Sequence, residues 1–116
     1  MIEHTDTVLK SCWEKEQNLA ALVDYQEDSV VSKTIIDKKA GTITIFAFDK
    51  GQGLSKHQAP FDAAVYVVDG QALITIGEKE HKVSAGQIIV MPAGINHSLK
   101  AKERFKMLLI MIRSKE

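Results

Sequence analysis

Cysteine, proline and an excess of either charge are scarce in this chain. Of its 116 residues, one is cysteine and two are proline. The single cysteine, Cys12, excludes an intrachain disulfide and a zinc site built from several thiolates. Fifteen lysines and arginines balance fifteen aspartates and glutamates, so the formal net charge is zero. Because no positive excess is available for phosphates, we do not expect a nucleic-acid-binding protein.

Long apolar runs are absent as well. The longest, Met107 to Ile112, is far shorter than the roughly 20 residues that cross a bilayer. The N-terminus has no basic region followed by an apolar stretch, so we expect neither export nor a membrane anchor. Hydrophobic residues make up 45% of the chain and charged residues 26%, as in ordinary globular domains. We therefore expect one cytoplasmic domain over residues 1–116.

The pattern of residues divides the chain into an N-terminal arm, residues 1–28, and a β-rich part, residues 29–113. Apolar residues of the arm, such as Leu19 and Leu22, recur at helix-like spacing, but charged residues interrupt the stripe. This predicts a short helix or a docked arm. From Ser29 onward β-branched residues dominate and turn residues follow at short intervals. The second part is predicted to be all-β, closed as a sandwich or barrel that leaves few exposed edges.

Turn residues place the individual strands. Asp69-Gly70 lies between the apolar runs 64–68 and 72–76 and predicts a tight hairpin in which these runs pair. A second hairpin is expected at residues 77–79, which brings 81–83 back alongside. Another strand, 87–91, ends at Pro92.

The last predicted strand, residues 105–113, is apolar without alternation over Met107 to Ile112. Both of its faces should therefore be covered. One face can point into the barrel, and the other must meet either the N-terminal arm or a second subunit. We expect a homodimer, with cover by the arm alone as the alternative.

Two of the four histidines, His57 and His97, lie beside glycine and proline turns near predicted strand ends. Such positions can direct an imidazole into a cavity, and neutral imidazole is the commonest metal ligand in proteins. A single histidine in this setting is also frequently a structural residue. Their chemistry therefore depends on whether the fold brings them together.

The surroundings of His57 resemble the first motif of the cupin superfamily, a group of double-stranded β-helix or jelly-roll barrels. That motif runs Gly, five residues, His-x-His, three or four residues, Glu, six residues, Gly. Here it reads Gly51, His57-Gln58-Ala59, Ala63 at the glutamate position and Gly70. The glycine spacing is kept, whereas two of the three polar positions hold alanine.

The surroundings of His97 resemble the second cupin motif, which runs Gly, five residues, Pro-x-Gly, two residues, His, three residues, Asn. Here it reads Gly86, Pro92-Ala93-Gly94, His97 and Ala101 in place of asparagine. The interval between Gly70 and Gly86 is similar to the short gap of compact bacterial cupins. The resemblance implies an all-β cupin barrel preceded by a short arm or helix.

The same resemblance implies a divalent iron, manganese, nickel or zinc ion held by three histidines and a glutamate. Only His57 and His97 remain of that set, because Ala59 and Ala63 have no donor atoms. Asp62, beside the glutamate position, could complete a three-ligand set with the two histidines. Strand alternation directs it away from the lumen, however, and favours a turn or strand-cap role. We therefore expect either no cofactor or one divalent transition metal.

The two alanines also leave a roomier and less polar lumen. Our first hypothesis is a small organic ligand held there, with or without catalysis, by His57 and His97 as polar anchors. The expected apolar walls are Phe46, Phe48, Val65, Val67, Ile88 and Val90. Filling of the barrel core is the alternative role for these six side chains. The second hypothesis is a metal-dependent cupin enzyme of the dioxygenase, isomerase or decarboxylase type that uses His57, His97 and Asp62.

Overall fold

Within residues 8–113, which the computed structural model describes, the chain forms nine β-strands. They are β1 (Val30–Lys38), β2 (Gly41–Phe48), β3 (Gly53–His57), β4 (Ala63–Asp69), β5 (Gln71–Ile76), β6 (Lys79–Ser84), β7 (Ile88–Met91), β8 (His97–Lys100) and β9 (Phe105–Ile112). All observed pairs are antiparallel. The strands form one five-stranded sheet, β1-β2-β9-β4-β7, and one four-stranded sheet, β3-β8-β5-β6. The predicted all-β jelly-roll fold is confirmed.

The described part of the N-terminal arm contains two short 3-10 turns, Lys10–Cys12 and Leu19–Leu22. The predicted short helix or docked arm is thus an arm that contains two short 3-10 helices. Leu19, Leu22, Val23 and Tyr25 pack on the outer face of the five-stranded sheet. Residues 1–7 of the predicted arm lie outside the described residues. Neither 3-10 turn is long and apolar enough to span a membrane.

The turn at Asp69-Gly70 is present, but it does not close a hairpin. Gly70 has φ +75°, and an added Cβ would collide with the carbonyl oxygen of Arg104. The predicted pairing of the flanking runs is wrong: β4 pairs with β7 and β9, whereas β5 pairs with β6 and β8. Buried Val65 and Val67 of β4 and Ile74 of β5 belong to one core. The two strands therefore face each other across that core.

The second predicted hairpin is confirmed. Ile76 and Lys79 are partners at the end of the β5–β6 ladder, and Gly77 has φ +63°. A glycine at the first position of a two-residue hairpin loop accepts this left-handed conformation without a steric penalty. His81 is the partner of Ile74 on the returning strand.

Large side chains fill one end of the barrel, which we call the closed end. There Phe48 of β2 pairs with Phe105 of β9, and their rings stack with centroids 4.6 Å apart. Phe46 stacks on Phe48 at 5.8 Å. Phe48 and Phe105 are completely buried, as are Val67 and Met107 next to them. Burial of such side chains provides a large part of the stability of a small barrel.

Polar contacts fasten the arm to the closed end. The Tyr25 hydroxyl donates to Asp69 at 2.5 Å, and burial together with this carboxylate raises the pKa of Tyr25. Asp49 accepts from the backbone N–H of Asp28 at 2.8 Å and from Arg104 at 3.2 Å. Backbone hydrogen bonds, first of all that from Asp28, lower the pKa of Asp49. The arm is thus held by hydrogen bonds as well as by apolar contact.

Candidate functional site at the barrel mouth

The fold brings His57 and His97 together at the other end of the barrel, which we call the mouth. His57 ends β3, His97 begins β8, and the two residues are direct partners in the β3–β8 ladder. Their Nε2 atoms lie 3.0 Å apart, and the rings meet edge to face. His97 is buried with 5% of its surface exposed, whereas His57 is exposed to solvent. One imidazole therefore belongs to the lumen and the other forms its rim.

A β-bulge directs His57 into this position. Leu54 pairs with Leu99 and His57 with His97, so three steps along β3 match two steps along β8. Without the extra residue, Leu54 and His57 would point to opposite faces of the sheet. The bulge restores a common face, and both side chains line the same cavity.

Both Nδ1 atoms are committed to the backbone. Nδ1 of His57 lies 2.7 Å from the Ser55 carbonyl oxygen, and Nδ1 of His97 lies 3.2 Å from that of Ile95. A carbonyl oxygen only accepts, so each contact is a hydrogen bond only when Nδ1 carries the proton. In two neutral rings the facing Nε2 atoms then present a lone pair each. In that protonation state no proton lies between the two Nε2 atoms, so the pair lacks one donor.

The surroundings of His97 favour its neutral ring. Burial lowers the pKa of His97, and the neighbouring His57 lowers it further, whereas the contact with the Ile95 carbonyl acts in the opposite direction. A neutral imidazole with Nδ1 held by a backbone carbonyl is the form that offers Nε2 to a hydrogen-bond donor or a metal ion. Nε2 of His97 is therefore the ring nitrogen that faces the site, and it carries a lone pair when the ring is neutral.

A small cavity of about 50 Å³ lies below the two histidines. Its walls are Leu54, His57, Ala59, Ala63, Met91, His97, Leu99, Met107, Leu109 and Met111. Ala59 and Ala63 are the two motif positions without donor atoms, and both face this cavity. The space left by the missing histidine and glutamate is therefore lined mainly by aliphatic and thioether side chains.

The sequence analysis did not identify the methionines that line this cavity. Ala63 has Met91 on one side and Met111 on the other as its cross-strand partners. Direct partners point to the same face of a sheet, so both thioethers flank the position of the missing carboxylate. Alternation along the last strand, through Met107, Leu109 and Met111, was the available signal. It was hidden because the residues between them are apolar too.

Two of the six predicted lumen walls are placed wrongly. Ile88 and Val90 lie on the outside, with 61% and 55% of their surfaces exposed. In this strand Ile89 and Met91 face inward instead. The prediction that alternate residues face the lumen is correct, but it assigned the wrong set of alternate residues. A short run in which every residue is apolar does not define that phase.

The other four predicted walls point inward but do not line the cavity. Phe48, Val65 and Val67 are completely buried, and Phe46 is partly buried against them. These side chains fill the core beyond the cavity, as the alternative interpretation of the sequence proposed. The cavity occupies only the mouth end of the lumen.

The structure does not bring Asp62 to the histidine pair. Its carboxylate accepts a 2.9 Å hydrogen bond from the backbone N–H of Ala93 and is exposed to solvent. Nearby, Gly94 N–H donates to the Ala59 carbonyl at 2.8 Å. Asp62 therefore ties the loop before His97 to the loop after His57. This is the strand-cap role that strand alternation favoured.

The donors at the mouth do not fit the divalent ion that the resemblance implied. Among residues 8–113, no group of three or more histidine, cysteine, aspartate or glutamate side chains could hold a metal. His57 and His97 supply two of the four ligands that such an ion takes, and the other side chains of the cavity lining have no nitrogen or oxygen donor.

A second surface feature is the outer face of the five-stranded sheet. Two cross-strand rows run over it, which we call the outer rows: Ile43, Ile110, Ala64 and Val90 in one, Ile45, Leu108, Tyr66 and Ile88 in the other. The arm covers the Ile45 and Leu108 end. Ile88 and Val90 remain exposed at the β7 end.

Two antiparallel sheets around one core, with a histidine pair at the mouth, define a cupin barrel. The profile of the family described as Cupin domain (Cupin_2) matches residues 44–113. The chain belongs to this family.

Solved structures from two bacteria agree with this assignment. A conserved protein of unknown function from Streptococcus pyogenes is 40% identical with a TM-score of 0.84, over 89% of this chain and 90% of that one. A cupin 2 conserved barrel domain protein from Leptotrichia buccalis is 42% identical with a TM-score of 0.81, over 84% of this chain and 47% of that one.

A curated relative is matched over a shorter stretch. An uncharacterized protein of Streptomyces coelicolor is 32% identical over 56 residues, which are 48% of this chain and 53% of that protein. The match thus spans about half the length of the relative.

Proposed function

We propose that this cupin binds a small organic ligand through a hydrogen-bond donor inserted at the His57–His97 pair. The observation that carries the proposal is the pair itself, with Nε2 atoms 3.0 Å apart and both Nδ1 atoms facing backbone carbonyls. Two facing acceptors repel each other unless a donor lies against them. A ligand hydroxyl or amide N–H supplies that donor.

The cavity limits the part of the ligand that enters. About 50 Å³ is well below the several hundred Å³ of sites that enclose drug-sized molecules. About one or two non-hydrogen atoms fit below the histidines at the volume of a water-sized group, and the rest of the ligand lies across the rim beside exposed His57. The preferred ligand therefore has a compact polar end and an apolar neighbour that contacts Leu54 and Met111.

Imidazole nitrogen chemical shifts test this proposal. Long-range proton–nitrogen NMR spectra of the labelled chain should show that small alcohols and amides move both Nε2 signals, whereas the matching methyl ethers and N,N-dimethyl amides do not. His97→Ala should abolish the response, and His81→Ala, on the outer strand β6, should leave it unchanged. Equal responses to donors and to their methylated analogues would contradict the proposal.

We also propose that a second copy of the chain covers the exposed end of the outer rows. The side chains of both rows are uncharged, so the surface suits an equally apolar partner better than a charged one. A two-fold axis through this face brings Ile88 and Val90 of one subunit against the same strip of the other. Sheet-on-sheet packing of this kind buries both strips at once.

Sedimentation at several protein concentrations tests the dimer. We expect a species of twice 12.9 kDa, with little dependence on salt because the rows carry no charge. Val90→Lys should give the monomer, and the control Glu78→Lys, in the β5–β6 turn, should not. A single-chain mass at high concentration would contradict this proposal.

A further inference from the structure

We propose that the mouth is a binding site for a soft monovalent cation, copper(I), with His57 and His97 as nitrogen ligands and Met91 and Met111 as thioether ligands. The four side chains line one cavity of about 50 Å³. They belong to four different strands, so the barrel, and no local motif, assembles the set.

The strand register places both thioethers at the vacated carboxylate position. Ala63 is buried at 3% exposure and is flanked by Met91 and Met111 as direct partners. Its methyl group leaves space that a longer side chain would occupy. Methionine has three rotatable side-chain bonds and a polarizable sulfur, so it can extend into such space without a change in the backbone.

The charge of the donor set selects a monovalent ion. Imidazole and thioether ligands bring no negative charge. The remaining walls are all uncharged and apolar: Leu54, Ala59, Ala63, Leu99, Met107 and Leu109. Because the Born energy scales with the square of the charge, desolvating a monovalent ion costs about a quarter of the value for a divalent ion of the same size. The lumen that does not fit a dication is therefore compatible with a monocation.

The softness of the donors selects copper(I) among monovalent ions. Thioether sulfur binds soft ions such as copper(I), whereas hard cations such as Na⁺ and K⁺ prefer oxygen. Imidazole also binds copper, and the Nδ1 contacts to Ser55 and Ile95 carbonyls hold both rings with Nε2 toward the site. Such backbone partners orient histidine ligands in metal sites.

The nitrogen separation is close to what one ion requires. Two nitrogens that share a tetrahedral ion at roughly 2.0–2.1 Å lie about 3.3–3.4 Å apart. The observed separation of 3.0 Å is slightly shorter, so binding requires the two Nε2 atoms to move apart by a few tenths of an ångström. His57 lies at the exposed rim, where its ring can shift without displacing core side chains. An ion between the Nε2 atoms removes the repulsion of their lone pairs.

This inference uses the histidine pair of the proposed function but does not depend on its organic ligand. Copper(I) and a hydrogen-bond donor compete for the same Nε2 atoms. Uptake of the ion and the response to alcohols are measured with different probes, so either proposal can fail while the other holds.

The test is an anaerobic competition between the full chain and a chromogenic copper(I) chelator. It is made in a Cys12→Ser background, because the thiol of Cys12 binds soft ions as well. We expect one copper(I) per chain, and no comparable retention of zinc(II). His97→Ala should abolish retention of copper(I). The double substitution Met91→Leu and Met111→Leu should lower the copper(I) affinity by at least about tenfold.

Ile110→Leu is the matched control, since Ile110 precedes Met111 on the same strand but belongs to the outer rows. The copper(I) affinity of this variant should equal that of the parent chain. Silver(I), a redox-inert substitute for copper(I), should shift the methyl signals of Met91 and Met111 in NMR spectra. No retained copper(I), or unchanged affinity of the double methionine variant, would overturn the site.

Discussion

The two ends of the barrel share strands β4 and β9 but are filled in opposite ways. At the closed end, Phe48 and Phe105 stack at 4.6 Å and are completely buried. At the mouth, Ala63 lies between two methionines, and His57 and His97 approach to 3.0 Å above a small cavity. Rigid aromatic packing provides stability, whereas flexible side chains and unsatisfied acceptors provide a place to bind. The contrast separates residues that hold the barrel together from residues that a ligand contacts.

Phe105→Ala, at the closed end, should lower the free energy of unfolding more than any other substitution considered below. Removing a completely buried ring leaves a cavity that the stacked Phe48 cannot fill, and we expect a loss of about 3–5 kcal/mol in the free energy of unfolding. Urea denaturation measures it. Phe105→Leu should lose less and keep the fold, which allows the mouth to be tested in parallel. A loss under about 1 kcal/mol for Phe105→Ala would remove the distinction between the two ends.

Gly70→Ala should have the next largest effect. The left-handed backbone alone costs an alanine about 1–2 kcal/mol, and the added Cβ also meets the Arg104 carbonyl. Gly86→Ala is the matched control, because Gly86 has φ +90° but an added Cβ meets no atom within 4 Å. We expect Gly70→Ala to lower the unfolding midpoint in urea clearly more than Gly86→Ala does. Equal losses would mean that the corner between the sheets tolerates a side chain.

Asp49 should make the closed end sensitive to acid. Its pKa is lowered in the folded state, so the unfolded chain takes up a proton more readily than the folded chain. The carboxylate therefore stabilises the fold above its ordinary value of 3.8, and this contribution is lost as the pH falls through the lower folded-state pKa. Asp49→Asn should reduce the melting temperature at neutral pH, and the difference should shrink below about pH 4. Asp24→Asn, at an exposed position of the arm, serves as the control.

Met111→Leu should have the smallest effect on stability. Leucine is close to methionine in volume, and such exchanges usually cost less than about 1.5 kcal/mol. At a half-exposed position near the mouth, we expect a change in the urea midpoint near the limit of detection. A loss as large as that of Phe105→Leu would show that Met111 supports the barrel rather than its binding site.

Most of the fold was predictable because its signals are local. β-Branched runs between glycine and proline turns placed the strands, and the spacing around Gly51, His57, Gly86 and His97 indicated the cupin barrel. The hairpin at Gly77 was predicted for the same reason. The pairing across Gly70 was not, since a tight turn looks alike whether the chain stays in one sheet or crosses to the other.

The candidate site was predictable only in part. Its two histidines and the two alanines opposite them could be identified by spacing. The inward direction of Met91 and the outward direction of Val90 could not, because the strand that holds them is apolar at every position. The β3 bulge, which sets the direction of His57, has no residue signature of its own.

The sequence by itself determined the barrel class and the loss of two donor positions, because turn residues and side-chain chemistry act over a few neighbours. The tertiary structure alone decided which apolar residues face the lumen, how His57 is directed, and that two methionines flank Ala63. Those outcomes depend on register between strands far apart in the chain, and register is set by how whole sheets pack.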